Sequence, residues 1–317
     1  MPVRNGGSYL DAAIKSIRDQ TFGDFEFLII NDGSTDGTAG VLDRHQREDQ
    51  RIRVLDAGGS GIVAALNLGI GIARGGFIAR MDADDIALAG RFATQAAFLE
   101  GNPGILACGT DVGLIDEIGR EVSRKGPFLS GSIAMADLLD GNPLFHPTMM
   151  IRRETMVASG QYRTGCTHAE DYDLWLRICE RGPLANLPDK TLLFRKHGKQ
   201  ISATKRLAQR AATALARQVA LRRANGLDEG ADLSNGLDQV VRHYLQARTA
   251  SPAPIRDFEG KDLLVMARFA QQAAGRRWIS GIESRIKRET GLRKVWLMPL
   301  WYFLDRTKIR SSMRQRR

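Results

Sequence analysis

Short apolar runs alternate with helix-patterned stretches through about the first two hundred residues, and no other feature constrains the fold as much. Phe25-Glu26-Phe27-Leu28-Ile29-Ile30 reads as a strand, and NDGSTDGT after it as a turn. Residues 39–47 read as a helix, 52–55 as a strand, and 62–73 as a helix with Ile62, Leu66 and Ile70 on one face. Residues 77–81 give the next strand and 91–100 the next helix, closed by Asn102-Pro103-Gly104. This βαβα order predicts an α/β sandwich built on a mainly parallel central sheet.

Beyond residue 104 the rhythm loosens. Strands are expected at 105–108 and 148–152, with loop and one short helix between Pro127 and Pro143. Residues 169–181 form a helix stopped by Gly182-Pro183. Trp175, Leu174 and Ile178 are its core face. From about residue 205 the chain is Ala/Arg-rich and helical, with patterns at 205–225, 237–247 and 261–272. The expected organisation is an α/β domain at 1–204 and a helical C-terminal region at 205–317.

The stretch GFIARMDADD ends an expected strand in Asp82, Asp84 and Asp85. Two carboxylates about 4 Å apart repel by roughly 4 kcal/mol at an effective dielectric near 20. A fold tolerates them if a cation lies between them or if one stays protonated. Asp82 and Asp84, two apart on extended chain, point to one side and can face one ligand. In open α/β sheets ligands bind beyond the carboxyl ends of strands. Oxygen ligands of this kind suit Mg²⁺ or Mn²⁺ alongside substrate phosphates. The other reading is an acidic turn capping the next helix.

Three further stretches carry a resemblance. PVRNGGSYLDAAIKSIRDQTFGDFEFLIINDGSTDGT, GSGIVAALNLGIGIARGGFIARMDADD and HPTMMIRRETMVASGQYRTGCTHAEDYDLWLRI follow in order the motifs of family 2 glycosyltransferases. The resemblance covers about residues 2–205. It implies the GT-A fold and transfer of a sugar from a nucleotide diphosphate to an acceptor hydroxyl, with inversion at the anomeric carbon. Pro2, Asp32, Asp82 and Arg80 are the implied nucleotide-sugar contacts. Asp32 would meet the base, and Asp82 would lie near ribose and metal. Arg80 could meet donor phosphate or only hold the strand edge. Asp84, with Asp82 and His197, is the implied metal set for Mg²⁺ or Mn²⁺. Asp171 is the implied catalytic base, with Glu170 as its neighbour or an acceptor-positioning group. Both also suit helix capping, since a helix N-terminus favours a charged carboxylate. Arg195 and Lys196 could add diphosphate contacts, and His146 shapes the loop before Pro147.

The resemblance implies a UDP-sugar donor, a saccharide or lipid-linked acceptor, and a place in surface-polysaccharide biosynthesis. The chain departs from the pattern at its start. The strand that precedes Pro-Val in relatives is missing, because Met1 directly precedes Pro2. The expectation is a start that lies upstream, or a truncated, inactive homologue acting as a membrane-associated adaptor. A nucleotidyltransferase could also use paired carboxylates on an α/β sheet, but Glu170-Asp171 would then have no task.

Charge placement narrows the partners. The net charge is +10, and residues 276–317, with 13 Lys/Arg and 3 Asp/Glu, carry all of it. A neutral body argues against a nucleic-acid partner. VWLMPLWYFL is about 15 Å long as a helix, half a bilayer core, with aromatic and basic flanks that suit an anionic membrane surface. With no secretory signal and no CxxC among three cysteines, the expected setting is cytoplasmic, peripheral on the inner face of the membrane.

Overall fold

The computed structural model describes residues 1–123, 128–198, 200, 204–230, 232–250, 257–274 and 280–290. The basic, aromatic tail, with its expected membrane-facing helix, lies outside the described residues. No helix among the described residues is long and apolar enough to cross a membrane.

The chain begins with a strand of two residues, β1 (Pro2–Val3), then α1 (Leu10–Arg18), β2 (Phe27–Asn31), α2 (Thr38–Glu48), β3 (Ile52–Asp56), α3 (Ile62–Ile72) and β4 (Phe77–Ala79). Strands β1, β2 and β3 form a parallel sheet in that order, with Pro2 opposite Ile30 and Phe27 opposite Ile52. The position where the sequence left no strand is thus held by Pro2–Val3 alone. Leu10, Ala13, Ile14 and Ile17, spaced for one helix face, are buried in one core with Phe27 and Ile29 of β2.

A second sheet follows. Its elements are β5 (Ile86–Ala87), α4 (Arg91–Gly101), β6 (Ala107–Ile115), β7 (Glu121–Val122), β8 (Gly131–Ile133), α5 (Met135–Asp140), β9 (Met150–Arg152), α6 (Arg153–Ala158), α7 (Glu170–Cys179) and β10 (Leu184–Arg195). The strand order is β4-β9-β6-β10-β5, with β7 on β6 and β8 on β10. The long β6–β10 pair is parallel and the other pairings of this sheet are antiparallel. Strand β10 was not visible in the sequence. Pro188-Asp189-Lys190 sits in its middle, and the structure absorbs it as register shifts between Leu187 and Leu192.

Helices α8 (Arg206–Ala224), α9 (Leu237–Ala250), α10 (Asp257–Ala274) and α11 (Ser280–Thr290) make up the C-terminal region. They do not stand apart. Trp175 and Leu176 of α7 share one buried cluster with Leu215, Val219, Tyr244 and Leu263. A second cluster, with Leu10, Ile14, Ile29, Leu42 and Leu99, takes in residues of both sheets, Val112 and Leu192 among them. Fully burying one Leu or Ile is worth about 1.5–3 kcal/mol, so α8–α10 are a large part of what fixes α7.

Candidate active site

Strand β4 stops at Ala79, and the chain runs through Arg80-Met81-Asp82-Ala83-Asp84-Asp85 before β5. Asp82, Asp84 and Asp85 each present an oxygen within 4.8 Å of the others. Burial, then Asp82 and Asp84, push the Asp85 carboxyl well above the usual carboxylate range. Burial and Asp82 also raise Asp84, despite the opposing pull of His197. Asp85 Oδ1 accepts the Arg195 N–H at 2.8 Å, while Oδ2 is buried with no hydrogen-bond partner among the described residues. Crowded oxygens with one buried, unpaired acceptor suit a divalent cation. As hard oxygen donors, these residues fit Mg²⁺ or Mn²⁺.

His197 lies just past β10, far away in sequence, yet its Nε2 is 2.8 Å from Asp84 Oδ2. The parallel pairing of β10 with β6 and its pairing with β5 bring it there. The Tyr9 ring, which the sequence reading passed over, packs 5.2 Å from the His197 ring. Arg195 departs from expectation. Its guanidinium donates to the carbonyls of Asp84 and Asp116 and lies 4.6 Å over Tyr9, so it shapes the acidic loop and has little left for a diphosphate. Lys196 is exposed.

Asp32 follows β2 and is buried. Both its oxygens accept the Gly61 N–H, each at 3.1 Å. Gly61 has φ +94°, a conformation that side chains other than glycine's resist, so it can bring its amide to the carboxylate. Pro2 sits beside this edge, and Val3 O accepts the Asp32 N–H at 2.8 Å.

Arg80 is buried and ion-paired with Asp82. Burial works against its charge, but Asp82 outweighs it and the guanidinium stays protonated. Its field also reaches His146, Tyr162, Glu170 and Asp171. Arg80 thus couples electrostatically to both the acidic loop and the start of α7. His146 is structural: its Nε2 is 2.7 Å from the Tyr162 hydroxyl, and burial keeps the ring neutral.

Glu170 and Asp171 open α7. Glu170 Oε2 accepts the His168 N–H at 2.7 Å and so holds a turn in which His168 takes φ +80°. Burial, then Asp171, push the Glu170 carboxyl up to about 7. Burial raises Asp171 too, and the Tyr172 backbone N–H and Arg80 offset part of that. Asn142 Nδ2 donates to Asp171 Oδ2 at 3.3 Å.

The profile of Glycosyl transferase family 2 matches residues 1–159. The chain belongs to that family. An uncharacterised glycosyltransferase of Haemophilus influenzae is 34% identical over 214 residues, 63% of this chain and 65% of that protein, so the chain spans slightly less than two thirds of that relative. The O-antigen biosynthesis glycosyltransferase WbnJ of Escherichia coli is 32% identical over 203 residues, 63% of this chain and 79% of that one. Among solved structures, residues 1–349 of S. aureus TarS in complex with UDP-GlcNAc superpose with a TM-score of 0.59, covering 92% of this chain and 89% of that one, at 14% identity. That last likeness is one of fold. The family match contains the whole acidic loop; Glu170, Asp171 and His197 lie past its end and are placed by the structure.

Proposed function

We propose that the chain is an inverting glycosyltransferase that moves a sugar from a nucleoside diphosphate to a hydroxyl of a saccharide or lipid-linked acceptor. The observation that carries this reading is the cluster of Asp82, Asp84 and Asp85 with His197 on Asp84 and Arg80 on Asp82, the charge of Arg80 also acting on Glu170 and Asp171. Asp32 would receive the nucleoside, in a pocket edge fixed by Gly61. Asp82 and Asp84, with His197, would hold a divalent cation, Mg²⁺ or Mn²⁺, which supplies charge neutralisation for a leaving diphosphate. Arg80 keeps the Asp82 carboxylate in place and adds positive charge beside it.

Inversion requires the acceptor oxygen to attack from the face opposite the leaving group. The bond from the anomeric carbon to the diphosphate oxygen breaks, and its electron pair leaves with the diphosphate. The acceptor oxygen bonds to that carbon, and its proton passes to Asp171. Asp171 must be charged for this, and the N-terminus of α7 favours that state. Glu170, buried and raised, shapes the turn beside it.

A uridine nucleotide is the donor we favour, because the TarS fold neighbour carries UDP-GlcNAc. Surface polysaccharide assembly is the setting suggested by the O-antigen relative. The basic tail would hold the enzyme to an anionic leaflet where a lipid-linked acceptor is presented. Asp171→Asn tests the base: UDP release from a UDP-sugar panel should fall by roughly 10²–10⁴-fold with UDP affinity unchanged. Undiminished turnover would remove Asp171 from the reaction.

A further inference from the structure

His197 reaches the acidic loop from the end of β10, and its ring is largely enclosed, with 11% of the side chain exposed. Its Nε2 lies 2.8 Å from Asp84 Oδ2. A histidine that takes a cation is usually held at its other nitrogen by a carboxylate or a carbonyl. Among the described residues, His197 Nδ1 has no such partner. What meets the ring instead is Tyr9, with ring centroids 5.2 Å apart and planes inclined by 40°.

Tyr9 immediately precedes α1, and its approach is fixed on both sides. Before it, the Gly6 N–H donates to Thr38 Oγ1 at 2.9 Å and the Gly7 N–H to Asp36 Oδ2 at 3.2 Å, while Asn5 Oδ1 accepts the Thr35 N–H at 2.8 Å. These bonds clasp the segment before Tyr9 to the loop after Asp32. After it, Leu10 is fully buried, and a Cβ on Gly6 would meet Leu10 Cβ at 2.9 Å, so glycine lets the turn close. The Tyr9 ring also carries the Arg195 guanidinium 4.6 Å from its centroid. The carbonyls of Asp84 and Asp116 pin that guanidinium, and its attraction for the ring holds Tyr9 in place. Asp84, Arg195, Tyr9 and His197 thus form a closed circuit of contacts.

We propose that Tyr9 is a positioning residue for the cation site: its ring holds the His197 imidazole against Asp84, so that Nε2 is in place before a divalent cation arrives. The inference rests on Asp82, Asp84 and His197 being the cation's ligands, as proposed above. It adds a residue from the segment clasped to the loop after Asp32, so the nucleoside end and the cation end of the site are joined through one ring contact. The contact is made by the ring and not by the hydroxyl, which has no hydrogen bond among the described residues. Phenylalanine should therefore serve as well as tyrosine, and a side chain without a ring should not. Without the ring, the imidazole samples more rotamers, and the cost of fixing it falls on cation binding.

The test is a titration of Mn²⁺ into the full chain with UDP present, for the wild type, Tyr9→Phe, Tyr9→Leu, His197→Ala and the pair Tyr9→Leu with His197→Ala. Leucine keeps apolar cover at this half-buried position, and Tyr9→Gln serves as a second ringless variant. Tyr9→Leu should weaken Mn²⁺ binding roughly tenfold, the low end of what losing a partner of a metal-bound histidine costs, with Tyr9→Phe within about twofold of wild type. In the double variant, Tyr9→Leu should cost nothing beyond His197→Ala, because no imidazole is left to position. In the metal-free protein, the nitrogen resonance of His197 Nε2 should report the same hydrogen bond in wild type and Tyr9→Phe, and move toward that of a solvated imidazole in Tyr9→Leu. A full loss from Tyr9→Leu on top of His197→Ala would overturn the proposal, since Tyr9 would then act on the fold and not on the ring. So would unchanged Mn²⁺ binding or an unmoved resonance in both ringless variants. A folded wild type that binds no Mn²⁺ would overturn the cation reading and this inference with it, whereas wild-type binding that His197→Ala weakens and Tyr9→Leu does not would remove Tyr9 alone.

Discussion

Glu170 keeps its proton at a pH where most glutamates have lost theirs. Its carboxyl is raised from 4.5 to about 7, first by burial and then by Asp171. The folded state therefore prefers the protonated form. The stability this contributes is complete below about pH 4.5 and is lost as pH rises through about 7. The shift caps the loss at about 3 kcal/mol. Glu170→Gln cannot titrate, so denaturant unfolding at pH 5 and pH 8 should show wild type losing stability relative to the variant as pH rises. An equal gap at both values would mean that Glu170 is not held as described. Asp171, also raised by burial, should set an acid limb of turnover above the usual carboxylate range. Much of this residue-level picture is legible in the sequence. The acidic loop, Asp32 and the Glu-Asp pair stand out as motifs. Tyr9 and the task of Arg195 did not, because stacking and carbonyl contacts leave no mark in residue type.

At the scale of elements, α7 is held from two sides. Asp173, fully buried, takes Arg177 one turn later and Arg163 from the preceding segment, and Arg163 also grips Glu229 of the loop after α8. Gly165 makes that docking close: its N–H donates to Leu233 O at 2.8 Å, and a Cβ there would meet the same oxygen at 2.8 Å. Gly165→Ala must push this backbone aside, at a cost of about 1–3 kcal/mol. We expect melting to fall by roughly 2–8 °C while UDP affinity is kept, because Asp32 and the acidic loop lie elsewhere. An unchanged melting temperature would show that the loop is not seated on Gly165. Element order was readable where period and turn residues agreed, as for α3 and α7. It failed at β10, where Pro188 and a charged pair interrupt the strand, and only register with β6 restores it. His197 was reachable through resemblance alone, since its approach to Asp84 depends on that unseen strand.

Over the whole molecule, a neutral body bears the site and a basic tail carries the net charge of +10. Two buried cores serve the two sheets, and α8–α10 close one of them around α7. The βα rhythm predicted the layered α/β half but not that the helical region would share a core with it. Helical period says which face is apolar, not what it meets. The central claim is that carboxylates from one loop hold a cation that holds a diphosphate. The direct measurement is a calorimetric titration of UDP into the full chain, with and without Mn²⁺, for the wild type and for Asp84→Ala. Binding that requires Mn²⁺ in the wild type and is lost in a folded Asp84→Ala protein is the predicted result. UDP binding of equal strength with and without Mn²⁺, unchanged by the substitution, would contradict it.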